Sequence, residues 1–251
     1  MKNKRVCRLI ILAGPSCVGK SPLDKALKKF YPELRNALQF IVLYNDRDIR
    51  PGEADGIDYH FRNRSFIESL KSNERYVVID VRGDLQALDL EELNGKLERG
   101  DVFFEGNPFI GHTLLTHSAL QDVKKLSVFM SPLSREEILF LRSSGENISL
   151  PDLLTDIMQK KLLRRTRKQK REISLKDLKN IERRASSAYR ELKKAHHFQH
   201  VIPNHDGEDS ENWDAFHYPL GDARKALEAF VSLLQEEPTS WVESWEEDLL
   251  P

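Results

Sequence analysis

Eight consecutive residues, Gly14-Pro15-Ser16-Cys17-Val18-Gly19-Lys20-Ser21, constrain this chain more than any other feature. They satisfy the spacing G-x-x-x-x-G-K-[ST], follow the unbroken apolar run Leu9 to Ala13, and precede Leu23, Ala26, Leu27 and Phe30 at helical spacing. An apolar run of that kind reads as a strand buried on both faces of a parallel sheet, so the order strand, turn, helix is expected. In such a turn successive backbone N–H groups converge on phosphate oxygens, assisted by the positive end of the following helix. Gly14, Ser16, Gly19, Lys20 and Ser21 are therefore candidates to hold ATP. Lys20 reaches the outer phosphates, and the Ser21 hydroxyl is a ligand for Mg2+. No N-K-x-D motif occurs, which argues against a GTPase, whereas a small-molecule kinase requires a second anion site for its acceptor.

The other apolar runs, Phe40–Leu43, Tyr76–Val81, Val102–Phe104, Leu126–Met130 and Val201–Ile202, alternate with stretches of helical period. That alternation predicts an α/β fold with a central, mainly parallel sheet flanked by helices. Helices are predicted over 134–141, 153–171, 175–194 and 222–234, the third behind a Ser174 cap with Asp177 three residues on. A chain of 251 residues can bury one sizeable core with insertions. Its 39 Lys+Arg against 40 Asp+Glu leave a formal charge of −1, so nucleic acid or an anionic membrane is not expected as a partner. Cys7 and Cys17 supply no disulfide framework, and no apolar run is long enough for a bilayer or signal core, so a cytoplasmic setting is expected. Residues 160–171 carry eight basic and no acidic side chains, and 236–248 carry six acidic ones around Trp241 and Trp245. Both stretches read as additions to a compact domain.

The second anion site is visible in Arg47-Asp48-Ile49-Arg50-Pro51-Gly52-Glu53-Ala54-Asp55-Gly56-Ile57-Asp58-Tyr59-His60-Phe61. This segment resembles the monophosphate-binding segment of the guanylate kinase family, R-x-P-R-x-G-E-x-x-G-x-D-Y-x-F, with Ile49 replacing the proline. The resemblance implies a P-loop kinase with a small monophosphate-binding subdomain and a helical lid, passing a phosphoryl group from ATP to a nucleoside monophosphate, GMP to GDP first of all. It implies that Arg47, Arg50 and Tyr59 bind the acceptor phosphate, and two guanidinium forks with a phenol O–H suit that task. Lys161-Leu162-Leu163-Arg164-Arg165-Thr166-Arg167 resembles the lid motif R-L-x-x-R-G, and Ile181 to Ala188 resembles I-x-x-R-L-x-x-A. These matches make Arg165 and Arg184 candidates over the transferred group. Ser127 to Ser134 resembles I-F-I-x-P-P-S. Val201 to Asp206 resembles the strand ending in N-D-D, which implies Asn204 beside the adenine. The expected organisation is a guanylate-kinase-like domain over 1–235. Within it, 5–40 is the phosphate-binding core, 41–98 the monophosphate subdomain and 135–180 an enlarged basic lid, and 236–251 forms an acidic, Trp-containing tail.

The pattern breaks at the positions that read guanine in the family: Leu43 stands at the serine, Val78 at the glutamate and Asn107 at an aspartate. Two carboxylates are candidate replacements. Asp80 shares a strand face with Val78 and could meet the guanine donors, and Glu105 could hold magnesium through water or orient the acceptor. A kinase for another acceptor, such as a ribose phosphate, is one alternative. A catalytically silent phosphopeptide-binding module is another, although the intact Lys20 and Ser21 argue against it. His196, His197 and His200 lack the acid or Cys that would complete a zinc site. Cys17, beside Lys20, is a candidate for a lowered thiol pKa, set against a side chain that only points outward.

Overall fold

Alternation along one strand explains how the molecule is layered. In the computed structural model, which describes residues 7–50, 52–143 and 149–250, every residue of β1 (Arg8–Ala13) is buried. Leu9, Ile11 and Ala13 face one apolar core and Ile10 and Leu12 the other. The further strands are β2 (Gln39–Phe40), β3 (Tyr44–Asn45), β4 (His60–Phe61), β5 (Tyr76–Val81), β6 (Asp84–Asp89), β7 (Val102–Gly106), β8 (Lys124–Ser131) and β9 (His200–Pro203). The helices are α1 (Lys20–Phe30), α2 (Pro32–Asn36), α3 (Arg64–Ser69), α4 (Leu90–Leu97), α5 (Pro108–Thr116), α6 (Arg135–Ser143), α7 (Leu150–Gln169), α8 (Leu175–Ser186), α9 (Ala188–Leu192) and α10 (Gly221–Leu234).

Five strands form a parallel sheet in the order β2-β7-β1-β8-β9. Its first core holds α5, α7, α8 and α9 through residues such as Ile110, Met158, Ile181 and Leu192, and its second holds α1 and α10 through Leu23, Leu27, Leu227 and Phe230. Ala13 pairs with Gly106 and Phe129, so the carboxyl ends of three strands finish together. Ligands bind at that edge in open α/β sheets.

The expected α/β architecture is present, with differences in detail. Tyr76–Val81 does not join the parallel sheet. It pairs antiparallel with β6 in a second sheet of order β4-β3-β6-β5, because Arg82 and Gly83 turn the chain at φ 59° and 88° and return it immediately. Of the run at 40–43 only Phe40 enters the first sheet, and Leu43 is buried in the first core. The helix expected over 175–194 starts with the anticipated cap, a full capping box between Ser174 and Asp177, but divides at Ser187. Ser187 instead donates a hydrogen bond to the buried Glu191, at 2.7 Å. Pro51 of the acceptor segment lies outside the described residues.

The acidic C-terminal segment is part of the packed molecule. Trp245, Leu249 and Leu250 are buried in the first core, and Glu243 bridges antiparallel to Val201. Trp241 Nε1 donates to Pro203 O at 3.1 Å, and Glu246 accepts from Arg135 at 3.0 Å. No helix of the described residues is long and apolar enough to cross a membrane.

At the other end of β1, Arg8 is 4% exposed, and its Nε and Nη2 donate to Asp101 Oδ2 at 3.1 and 2.9 Å. Arg8 Nη1 also donates to Glu236 Oε1 at 3.0 Å, so Asp101→Ala leaves the buried guanidinium partly paired and is expected to cost about 1–3 kcal/mol in chemical denaturation. The double replacement Arg8→Met/Asp101→Leu should cost markedly less, and equal losses would contradict an electrostatic origin.

Candidate active site

The turn between β1 and α1 wraps tightly because Gly19 sits at φ 103°, where a Cβ would lie 2.4 Å from Asn204 Nδ2. Lys20 is buried, and its Nζ donates to the carbonyls of Gly14 and Pro15, both at 2.8 Å. Burial pushes the Lys20 pKa down, opposed by the carboxylates of Glu208, Glu105 and Glu191. Ser21 Oγ donates to Glu105 Oε1 at 3.0 Å, and burial raises the Glu105 carboxyl above its ordinary pKa. A hydroxyl and a carboxylate side by side next to Lys20 form an oxygen donor set that suits a hard divalent cation. Cys17 departs from expectation: it is 1% exposed, and burial, with Glu208 and Asp209, pushes its thiol up to about 12.

The acceptor segment is organised by a residue the sequence reading passed over. Glu53 accepts a two-pronged bond from Arg47, at 2.7 and 2.6 Å, and a third from Arg50 N at 2.9 Å. The Arg47 guanidinium lies over the rings of Tyr59 and Phe61, 5.0 and 5.2 Å from their centroids. Burial and the neighbouring Arg47 push Arg50 down to about 10, and burial raises the Tyr59 phenol. Three groups proposed for one phosphate are thus gathered on one loop.

From the helical side, Arg184 Nε donates to Ser16 Oγ at 3.0 Å, tying α8 to the P-loop. Burial, with Arg165, Arg50 and Arg82, holds its pKa well below the usual arginine range. Arg165 on α7 enters the same cleft, of about 300 Å³, lined also by Lys20, Arg47, Arg50 and Tyr59. Arg82 Nε donates to Glu191 Oε1 at 2.6 Å, and Arg183 pairs with Asp84 at 3.1 Å, so α8 and α9 are fastened to the second sheet.

Asp80 requires correction. Val77, Ile79 and Val81 face the first core, whereas Val78 packs against the third cluster with Ile67 and Leu85. Two-residue alternation therefore turns Asp80 outward with Val78, and the exposed carboxylate caps the hairpin by accepting from Gly83 N at 2.8 Å. The cleft is met instead by the partners of Val81 and Ile79 across the hairpin, Asp84 and Gln86. Alternation along residues 84–89 was the available signal. Gln86 Oε1 and Asn107 Nδ2 are buried and without a hydrogen-bond partner, and both residues line the cleft. Asn107 Oδ1 is fixed by accepting from Phe109 N at 2.8 Å, so its NH2 is turned the other way.

Asn204 is fully buried, and its NH2 donates to Val18 O and Asp206 O at 2.8 and 2.7 Å. It braces the P-loop against the segment after β9 and has no NH2 proton left for a base. The rings of His196 and His197 meet edge to face near His112, but no group of three or more potential metal ligands occurs among the described residues.

A P-loop at the carboxyl edge of a parallel sheet, facing an arginine-bearing loop on a second sheet beneath a basic helical arm, defines a P-loop kinase fold. A family model described as guanylate kinase matches residues 6–81. The chain is 44% identical over 80 residues to guanylate kinase of Rhodococcus jostii (32% of this chain, 37% of that one) and 35% identical over 132 to that of Cereibacter sphaeroides (52% and 60%). These matches thus span less than two thirds of each relative's own length. A longer match, 29% identical over 207 residues, covers 81% of this chain and 90% of guanylate kinase of Corynebacterium diphtheriae. The crystal structure of guanylate kinase from Anaplasma phagocytophilum superposes with a TM-score of 0.52 at 16% identity, covering 94% of this chain and 89% of that one, a likeness of fold. The chain is thus similar in sequence to guanylate kinases, over residues 6–81 by the family model, and shares their fold.

The buried, raised thiol gives a direct check on the P-loop. In a Cys7→Ser chain, Cys17 is expected to resist a disulfide reagent near pH 8 until the protein is denatured, because the thiolate is the reactive species. Rapid reaction of the native protein would contradict the burial described.

Proposed function

We propose that the protein transfers the γ-phosphoryl group of ATP to a nucleoside monophosphate, with GMP as the acceptor. The observation that carries this reading is that Lys20 on the P-loop and Arg47, Arg50 and Tyr59 on the acceptor loop open into one cleft. Two phosphate groups held there face each other, and in-line transfer asks mainly for positioning and charge stabilisation.

In this reading Lys20 exchanges its carbonyl partners for the donor's outer phosphates, and Arg47, Arg50 and Tyr59 fix the acceptor phosphate. Arg165 and Arg184 neutralise charge that spreads over the transferred group, an effect strongest where water is excluded. Ser21 and Glu105 would hold Mg2+, which would supply positive charge against that of the donor phosphates. Gln86 Oε1 supports guanine as the base, since it is an unsatisfied acceptor for the N1 and N2 donors, and Asn107 Nδ2 is an unsatisfied donor for O6 or N7. The burial of Leu43 and the turning away of Val78 and Asp80 favour a second reading, in which a ribose phosphate is the acceptor.

Comparison of kcat/KM across GMP, dGMP, AMP, UMP and ribose phosphates in a coupled ADP-release assay separates these readings, with GMP expected to lead. Gln86→Leu is expected to lower the GMP-over-AMP ratio by about tenfold, the loss of one buried hydrogen bond. Lys20→Ala should lower kcat at least about a hundredfold with the fold intact. Arg47→Ala or Arg50→Ala should raise the acceptor KM about tenfold or more while the ATP KM stays constant. Turnover unaffected by Lys20→Ala would overturn the kinase reading.

A further inference from the structure

The P-loop already holds an anion, and it comes from the chain itself. Glu208 Oε2 accepts from the backbone N–H of Gly19 at 3.1 Å, within the ring of donors that a P-loop offers to phosphate. The same carboxylate is the strongest electrostatic counterweight to the burial of Lys20. Glu208 also stands between two cavities. One is the cleft of about 300 Å³ described above, and the other, of about 340 Å³, lies along α1 beside Lys25, Arg165 and Trp213. Ser21, Arg165 and Glu208 border both.

The loop that presents Glu208 is firmly built. Asp206 accepts from Ser210 Oγ, from Asn212 Nδ2 and from Ala223 N at 2.8, 2.9 and 3.0 Å, and its carbonyl accepts from Trp213 Nε1 at 2.7 Å. At Gly207 a Cβ would lie 2.2 Å from Cys17 O, so the loop backbone is pressed on the P-loop itself. Basic residues of α7 fasten it from the lid side. Lys161 Nζ donates to His205 O at 2.5 Å, Lys168 Nζ donates to Asp209 O at 2.7 Å, and Lys161 and Arg164 approach the Asp209 carboxylate at 3.6 and 3.7 Å. The basic stretch of 160–171 is thus in part a clamp on an acidic loop.

We propose that Glu208 is an internal competitor for the donor's phosphate, which must be displaced from Gly19 and Lys20 before a nucleoside triphosphate can lie across the P-loop between the two cavities. This rests on the kinase reading above. A carboxylate and a phosphate cannot share the Gly19 N–H, and each repels the other, so donor binding is coupled to release of the 206–211 loop. Because α7 grips the same loop and also carries Arg165, its release frees the arm that bears a candidate catalytic guanidinium. The donor's arrival and the reorganisation of the lid become one event.

The test is calorimetric titration of wild type and Glu208→Gln with MgATP and with ADP, together with hydrogen exchange of the wild type. Removing the charge is expected to tighten both nucleotides about tenfold, the worth of one charge-assisted hydrogen bond. In the wild type, amides of 206–214 should exchange faster when MgATP is added, a result that mere loss of repulsion in the variant does not require and that stands even if the variant fails to fold. Binding by wild type with equal or weaker affinity in Glu208→Gln, or slower exchange of 206–214 on adding MgATP, would overturn the competitor and leave the donor site standing. Absence of MgATP binding by both proteins would overturn the competitor and the kinase reading together.

Discussion

Cations taken out of water must be compensated, and much of the architecture around the cleft is that compensation. Lys20 is buried at the start of α1, so its ammonium borrows two backbone carbonyls and three nearby carboxylates. Arg184 has a serine hydroxyl as its hydrogen-bond partner and three other arginines near it, an arrangement unfavourable until an anion arrives. Three further guanidiniums are quietened in pairs: Arg47 by Glu53, Arg82 by Glu191, Arg183 by Asp84. A site of this kind is a poor contributor to stability and a strong attractor for phosphate, and the surrounding apolar layers supply the rigidity that keeps the charges apart.

Sheet geometry decides which chemistry reaches the cleft. The parallel sheet delivers the P-loop and Glu105 to one edge because Leu12 is in register with Glu105. The hairpin of β5 and β6 delivers Gln86 and Asp84 because they lie opposite Ile79 and Val81 on its inner face. On the proposed reading the amides of Gln86 and Asn107 supply an uncharged face for the base, and uncharged partners lessen the desolvation that a carboxylate would suffer among so many arginines.

What could be read in advance follows from how local each feature is. The P-loop is eight contiguous residues flanked by a strand and a helix, and its geometry is set within that window. The acceptor loop is likewise contiguous, so Arg47, Arg50 and Tyr59 meet as anticipated, although Glu53 was overlooked as the residue that orients two of them. Asp80 was misread because its face depends on strand pairing: the alternation was right, but the face shared with Val78 points away from the cleft. Gln86 was missed since β6 is defined by the turn at Arg82 and Gly83 and not by an apolar run. Charge blocks misled in the same way. The acids of 236–248 obscured Trp245, Leu249 and Leu250, which bury against the core, and the basic run of 160–171 gave no sign of the loop it grips.

The central claim is that one cleft holds two phosphate-bearing molecules end to end. It is tested most directly by equilibrium binding of a bisubstrate compound, guanosine and adenosine joined through five phosphates, compared with ADP and GMP singly. One molecule is expected to bind per chain, far more tightly than either nucleotide, with affinity falling steeply as salt is raised. Affinity no better than that of the stronger single nucleotide would show that the two loops do not serve one site.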